Sequence, residues 1–230
     1  MKKTKRWKYI LPVILIVLIV FMSALVLIGH RPRRYAPLRL DDKNPFSPYL
    51  TGQILPTVYN GAQLGKPFDV VITQEGLNDI IARLPQPTQL HNITLADPQV
   101  IFTPLQITLM ATIKARPVNP ILTIELHPFI NQQGLLNLCV NRVVLGTIDI
   151  TPLAMSIGNK AYSDWLSSTG TEPNNIAAQI CRSLLDNAGF EPVFEIDGRM
   201  LRVSNIEVTT KKIIISLAPV PDEPHPASRR

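Results

Sequence analysis

Four histidines, two cysteines and 17 acidic residues are what the 230-residue chain offers for metal ligation and carboxylate or imidazole acid–base chemistry. The histidines, His30, His91, His127 and His225, are far apart, and His30 and His225 fall in Pro-rich stretches. Only His127 lies in a strand-like run, on its polar side with Glu125. That pair reads either as a base and its partner or as two half-exposed sheet residues. Carboxylate pairs suited to acid–base work are thin. Asp41-Asp42 lies in a linker-like segment and Asp222-Glu223 in a tail, while Asp149 and Asp164 flank a helical pattern and suit turn or solvent positions. Cys139 and Cys181 are too few for a four-cysteine zinc site. They fall in different elements and outside the cytoplasm can form one disulfide if their Cα atoms come within ~7 Å. The sequon Asn92-Ile93-Thr94 matters only in a eukaryotic secretory pathway. No G-x-S-x-G, P-loop, G-x-G-x-x-G or H-E-x-x-H pattern occurs. The spacing therefore assigns no catalytic residue, no metal ligand and no cofactor.

Net charge is +6, which read whole would suggest nucleic acid. Its placement removes that inference. Residues 1–39 carry nine Lys or Arg and no acid, so the head is +9 and the remainder −3. Lys211-Lys212 is the only adjacent basic pair within residues 67–218. No nucleic-acid partner is expected.

The basic head leads directly into an apolar segment. Residues 1–8 contain Lys2, Lys3, Lys5, Arg6 and Lys8, and Tyr9 to Gly29 is a 21-residue run without a charge. At about 1.5 Å per residue such a helix covers the ~30 Å hydrocarbon core. Pro12 sits in the first turn, where its missing N–H costs little, and Trp7 and Tyr9 are placed as interfacial aromatics. A cleaved signal peptide would have a shorter apolar core and a small-residue cleavage site. The expectation is an uncleaved single-pass anchor in a cell membrane, with a cytoplasmic N-terminus and an extracytoplasmic body.

Residues 30–66 contain Pro32, Pro37, Pro45, Pro48 and Pro56 and read as a spacer, with a short ordered piece at Leu50 to Val58 that would lift the body off the headgroups. Residues 67–218 read as one α+β domain. Pro67 to Ile72 is a strand. Thr73 is an N-cap for a helix carrying Leu77, Ile80, Ile81 and Leu84. Four strands come after it: Ile93–Phe102, Leu105–Ala115, a run through Leu122, Ile124 and Leu126, and Leu135–Leu145. In the second, Ile107, Leu109, Ala111 and Ile113 alternate with Thr108, Met110, Thr112 and Lys114. Two helices come next, one with Thr151 as N-cap and Pro152 in its first turn, the other opened by Glu172-Pro173 and closed by Gly189. Three strands complete the domain, with Asp197-Gly198 as a hairpin turn. Residues 219–230 read as a disordered Pro-rich tail. Short connections demand antiparallel pairing. The expected architecture is a curved antiparallel sheet packed on two or three amphipathic helices.

The order of these pieces resembles the YpmS-like family of bacterial membrane-anchored proteins. The matching segments are the basic head and anchor, FDVVITQEGLNDIIARL, ITLADPQVIF, LQITLMATI and INQQGLLNLCVNRVVLGTIDITPL, across roughly residues 5–217. The last departs from the family's G-x-L-x-L-P ending at Gly146 to Pro152, where Ile148 and Ile150 stand in for leucines. The resemblance implies an extracytoplasmic domain. More distantly the layout is similar to TULIP-like proteins, in which a curved sheet wraps a helix as a half-barrel and holds lipid. Some relatives of that broad type, the LmeA-like group, are described as phospholipases, but no catalytic residue carries over.

Beyond these motifs lies the apolar surface of the strands. The expected function is non-enzymatic binding of a lipid or acyl chain in an apolar groove or core at the membrane surface, lined by Leu109, Ile113, Ile124, Leu138, Trp165 and Leu184. The alternatives are an envelope structural or assembly protein with a filled core that docks a protein partner, and a lipid hydrolase.

Overall fold

The computed structural model describes residues 7–40, 44–90, 93–116, 118–169 and 175–220. In chain order the elements are α1 (Trp7–Gly29), a π-helical turn (Leu50–Ile54), α2 (Leu55–Leu64), β1 (Phe68–Thr73), α3 (Gln74–Ala82), β2 (Thr88–Leu90), β3 (Ile93–Thr103), β4 (Gln106–Ile113), β5 (Ile121–Ile130), β6 (Leu136–Leu145), β7 (Ile148–Asp149), α4 (Thr151–Thr169), α5 (Ile176–Asp186), β8 (Val193–Ile196), β9 (Arg199–Thr209) and β10 (Lys212–Pro219). The chain is α+β, and every strand pair is antiparallel. The strands form two sheets rather than one. β2 to β7 make a six-stranded meander in sequence order, and the other four strands pair in the order β1-β10-β9-β8. The first and last strands of the domain are thus direct neighbours, Phe68 opposite Leu217.

Local chemistry explains most element ends. The Thr73 side chain accepts the Gly76 N–H and caps α3, with Glu75 in the first turn. Asp197 and Gly198 both have positive φ (51° and 75°), as a two-residue hairpin turn of the I′ kind requires. Helix α5 is capped by the Asn175 side chain, which accepts the Ala177 N–H at 2.8 Å. Glu172 and Pro173, expected to open that helix, lie outside the described residues, as do His91, Asn92 and the tail from 221 to 230. The helix ends at Asn187, which takes the left-handed conformation (φ 57°) expected of Gly189. Gly189 instead permits a close approach, since a Cβ there would press on Leu135 and Asn137.

The described parts of the segment 30–66, residues 30–40 and 44–66, are folded against the domain. Pro56 does not break this segment's helix: it stands just after the π-helical turn Leu50–Ile54, in which the Leu55 N–H bonds to the Leu50 carbonyl. Ala62 of α2 is fully buried against Val70, Leu201, Val203 and Leu217 of the four-stranded sheet. Nearer α1, Tyr35 is 5% exposed and packs on Met110 and Ile121. Its phenol donates to the Asp97 carbonyl at 2.6 Å and so accepts from Thr112 Oγ1 at 2.8 Å. The Ala36 N–H donates to Gln99 Oε1, and Gln99 Nε2 donates back to the Arg34 carbonyl. Residues 30–36 are therefore a strap across one face of the six-stranded sheet, made possible by polar groups 62 to 77 positions away.

Helix α1 seats directly on the domain. The Leu27 carbonyl, in the last turn of α1, accepts from the Thr147 N–H and Thr147 Oγ1, each at 3.1 Å, and from the His30 N–H at 3.4 Å. The body is therefore not lifted away by a spacer. Side chains of α1 are described from Ile16, and the stretch Ile16–Gly29 measures about 21 Å at 1.5 Å per residue. Among the described residues no helix is long and apolar enough to cross a membrane.

His127 holds a turn. The β3–β4 connection is Pro104-Leu105, and Leu105 has a positive φ of 64°, unfavourable for a residue with a branched side chain. The turn is fixed by the Leu105 N–H on the Val208 carbonyl at 2.9 Å and by His127 Nδ1 on the Leu105 carbonyl at 2.5 Å. Replacing His127 with Ala should destabilise the domain by about 1 kcal/mol, the net worth of one such bond. Leu105→Gly in that background should recover part of the loss, because Gly takes positive φ without strain. Thermal melts of the three proteins in detergent test this, and an unchanged melting temperature for His127→Ala would contradict it.

Candidate functional site

The two faces of the six-stranded sheet differ in chemistry, and alternation along β4 and β5 separates them. Thr108, Met110, Thr112, Ile121 and Thr123 point to the strap side and are buried. Leu109, Ala111, Ile113, Leu122, Ile124 and Leu126 point to the other side, and all are only half-buried. Along these two strands the apolar row is the more accessible one, although Val100, Phe102 and Val143 on the same face of β3 and β6 are buried.

Register aligns the apolar residues into rows. Val100, Leu109, Ile124 and Val143 stand opposite one another on β3, β4, β5 and β6, and Ala111, Leu122 and Leu145 form the next row. One end of this face is filled. There Val100 and Phe102 pack against Val208 and Ile213 of the four-stranded sheet, with Leu77 and Ile81 of α3 alongside. Beyond that plug lies an apolar cavity of about 330 Å³ between α3 and the sheet. Ile81 of α3 and Leu84, which the sequence placed in the helix but which lies just past its end at Ala82, supply one wall, and Leu95, Leu109, Leu122 and Ile124 are among the residues of its sheet wall. Leu84 is 54% exposed.

The helix wall is held in place by polar contacts. Asn78 Nδ2 donates to the Val100 carbonyl and Asn78 Oδ1 accepts the Val100 N–H, each at 2.8 Å, while Gln74 Oε1 accepts the Phe102 N–H. Two amide side chains of α3 thus pair with the β3 backbone as another strand would. On the helix's outer side Arg83 grips Asp79 through Nε and Nη2 at 3.0 and 2.9 Å, and Asp79 accepts from Ser47 of the preceding segment.

The cavity extends toward the end of the domain that meets α1. Strand β4 ends at Ile113 and β5 begins at Ile121, and Val118 between them lies against Gly29. Strand β6 ends at Leu145, immediately before Gly146 and Thr147, which hold the α1 terminus. Gly146 has φ 63°, and a Cβ there would collide with the Ile28 carbonyl. The row of Ala111 and Leu122 is the one nearer this end.

Of the six residues expected to line a groove, Leu109 and Ile124 are directly opposite each other and both line the cavity. Ile113 lies beyond them, opposite Leu95. Leu138 is further along β6, opposite Pro128, where the buried Ser183 hydroxyl of α5 accepts its N–H at 2.8 Å. Trp165 on α4 lies 6.1 Å from the Tyr162 ring, and Leu184 belongs to α5. All six are half-buried, but the last four do not line the cavity. Ile81, Leu84, Ala111 and Leu122 are among the other residues that line it, and each already belongs to an apolar periodicity visible in the sequence. Only the packing of α3 on β3 was needed to bring them together.

No constellation of three or more His, Cys, Asp or Glu able to hold a metal occurs among the described residues. Cys139 and Cys181 are free thiols. No protein-family model, curated protein or solved structure matches the chain.

One carboxylate near the α1 seat is strongly perturbed. Asp149 accepts from the Thr151 hydroxyl at 2.6 Å, from the Thr151 N–H at 3.0 Å and from Arg142 Nε at 3.0 Å. These bonds, Thr151 first, lower its pKa from 3.8 to about 2. Because the folded value is depressed, its contribution to stability is complete above the ordinary 3.8 and is lost as pH falls through about 2. Carbon-detected NMR titration should place the Asp149 carboxyl midpoint near 2, and Thr151→Val should move it up toward 3.8. A wild-type midpoint at the ordinary value would contradict the assignment.

Proposed function

We propose that the protein is anchored by α1 in a membrane and takes an acyl chain of a lipid into the cavity between α3 and the six-stranded sheet. The observation that carries this reading is the apolar cavity of about 330 Å³ on a sheet face left half-buried, at the end of the domain on which α1 seats. Each methylene moved from water into such a site gains about 0.8 kcal/mol, and the cavity requires no polar partner from the ligand's tail. The anchor part rests on the uncharged run Tyr9–Gly29, carried by a helix of 23 residues. The described side chains from Ile16 to Met22 are all exposed, as lipid contact demands. With α1 in the bilayer and Thr147 holding its end, the cavity lies within a strand length of the headgroups, and a chain could enter from the outer leaflet. A sheet curled round a helix with lipid between them would also agree with the YpmS-like and TULIP-like resemblance.

A second reading has its own support. Leu55, Tyr59 and Leu64 of α2 and Leu153 and Ile157 of α4 are 53–72% exposed, which suits docking of an envelope protein. It places the ligand outside the cavity and so predicts a different response to filling it.

Ala111 offers the decisive substitution. Its side chain lies in the cavity wall, and Ala111→Trp would occupy the space a chain needs. The full-length protein in detergent should bind a fluorescent fatty acid, and Ala111→Trp should weaken that binding by about tenfold or more, the loss of a few buried methylenes. Thermal melting would show that the variant is folded. No uptake by the wild type, or uptake untouched by Ala111→Trp, would overturn the acyl-chain reading in favour of docking.

A further inference from the structure

The opposite face of the same sheet carries a second cavity, of about 590 Å³ and of different chemistry. Its floor is two cross-strand rows, Ile101-Thr108-Glu125-Arg142 and Met110-Thr123-Val144. The strap supplies a wall through His30, Pro32 and Arg34, and Gly146 and Thr147 border it at the α1 seat.

Three features leave polar groups there open to a ligand. Thr123 Oγ1 is buried and has no hydrogen-bond partner among the described residues, in a residue only 6% exposed. A buried hydroxyl without a partner is costly and uncommon in folded proteins. Arg34 and Glu125 are among the residues lining the same cavity, and neither has an ion-pair partner among the described residues. Arg142, directly opposite Glu125, is held to Asp149 through Nε, and its two Nη atoms make no hydrogen bond among the described residues.

The mixture of signs selects the ligand class. A simple anion drawn to Arg34 and Arg142 would meet the Glu125 carboxylate. A simple cation drawn to Glu125 would meet two guanidinium groups. A compact group bearing both charges satisfies all three, since guanidinium binds phosphate through paired N–H donors and a carboxylate accepts from a primary ammonium. We infer that this cavity binds a phosphoethanolamine-type zwitterion, with the phosphate on Arg34 and Arg142, the ammonium on Glu125, and the Thr123 hydroxyl hydrogen-bonded to the ester. The inference is independent of the acyl-chain cavity, which lies on the other face. If α1 is a membrane anchor, a phosphatidylethanolamine headgroup is one source, and a soluble phosphoethanolamine ester is the other.

The test uses the full-length protein in a maltoside detergent and titrates glycerophosphoethanolamine by calorimetry. Binding is expected, with Glu125→Gln weakening it by about tenfold while leaving glycerol phosphate no weaker, and Arg34→Gln weakening both esters by about tenfold. Thr123→Val should weaken it less. Melting temperatures confirm that the variants are folded, and fatty-acid uptake should survive in each, which separates this site from the acyl-chain cavity. In nanodiscs, a headgroup source predicts that the soluble ester is excluded by phosphatidylethanolamine and admitted with phosphatidylglycerol. Equal binding in both discs assigns a soluble ester. Absence of binding in detergent, or binding indifferent to both Glu125→Gln and Arg34→Gln, would overturn the inference. So would tighter binding of inorganic phosphate in Glu125→Gln than of the zwitterion in the wild type.

Discussion

A helix that ends in a protein leaves its last carbonyls without partners, and the groups that satisfy them decide where the helix points. Here Thr147 satisfies Leu27 with both its N–H and its hydroxyl. The close approach needs Gly146 beside it, because any Cβ would strike the Ile28 carbonyl. This contact ties the N-terminal helix to one end of the six-stranded sheet. Both cavities take their meaning from it, since each extends toward that end, one on the apolar face and one on the polar face.

The sheet itself is built to keep two faces in use. On the polar side the strap from residue 30 to 36 buries Tyr35 over Thr112 and Asp97, so the polar rows are partly covered. On the apolar side α3 covers β3 and the four-stranded sheet covers the end at Phe102, but Ala111, Leu122 and Ile124 stay half-buried. An unfilled apolar face lowers stability relative to a packed core, because lining atoms lose contact partners. Its persistence in a domain with enough aliphatic residues to close it is the physical basis for assigning it a ligand.

Much of the secondary structure is legible from local rules. The alternation from Ile107 to Ile113, the Thr73 cap and the Asp197-Gly198 turn are short-range signals, and each element forms where those residues place it. The division into two sheets is not legible, because β1 must find β10 across most of the domain and no local pattern encodes that pairing. The strap was hidden for the same reason: Tyr35 sits among prolines, and its partners Asp97 and Thr112 are distant in sequence. For the cavity, the alternation identified Leu109 and Ile124 as facing one way, but which apolar residues are covered depends on where α3 lands. Trp165 and Leu184 carry equally good helical periodicity and stand elsewhere, on α4 and α5.

The central claim is that the apolar face, and not the polar one, contacts lipid chains. Photo-crosslinking in native membranes tests it at neighbouring positions of one strand that point to opposite faces. With a photoreactive residue replacing Ala111, on the cavity wall, the account predicts covalent lipid adducts by mass spectrometry. The same residue at Thr112, buried beneath Tyr35, should give adducts within the chain and none with lipid. Lipid-free protein at position 111, or equal lipid labelling at both positions, would contradict the account.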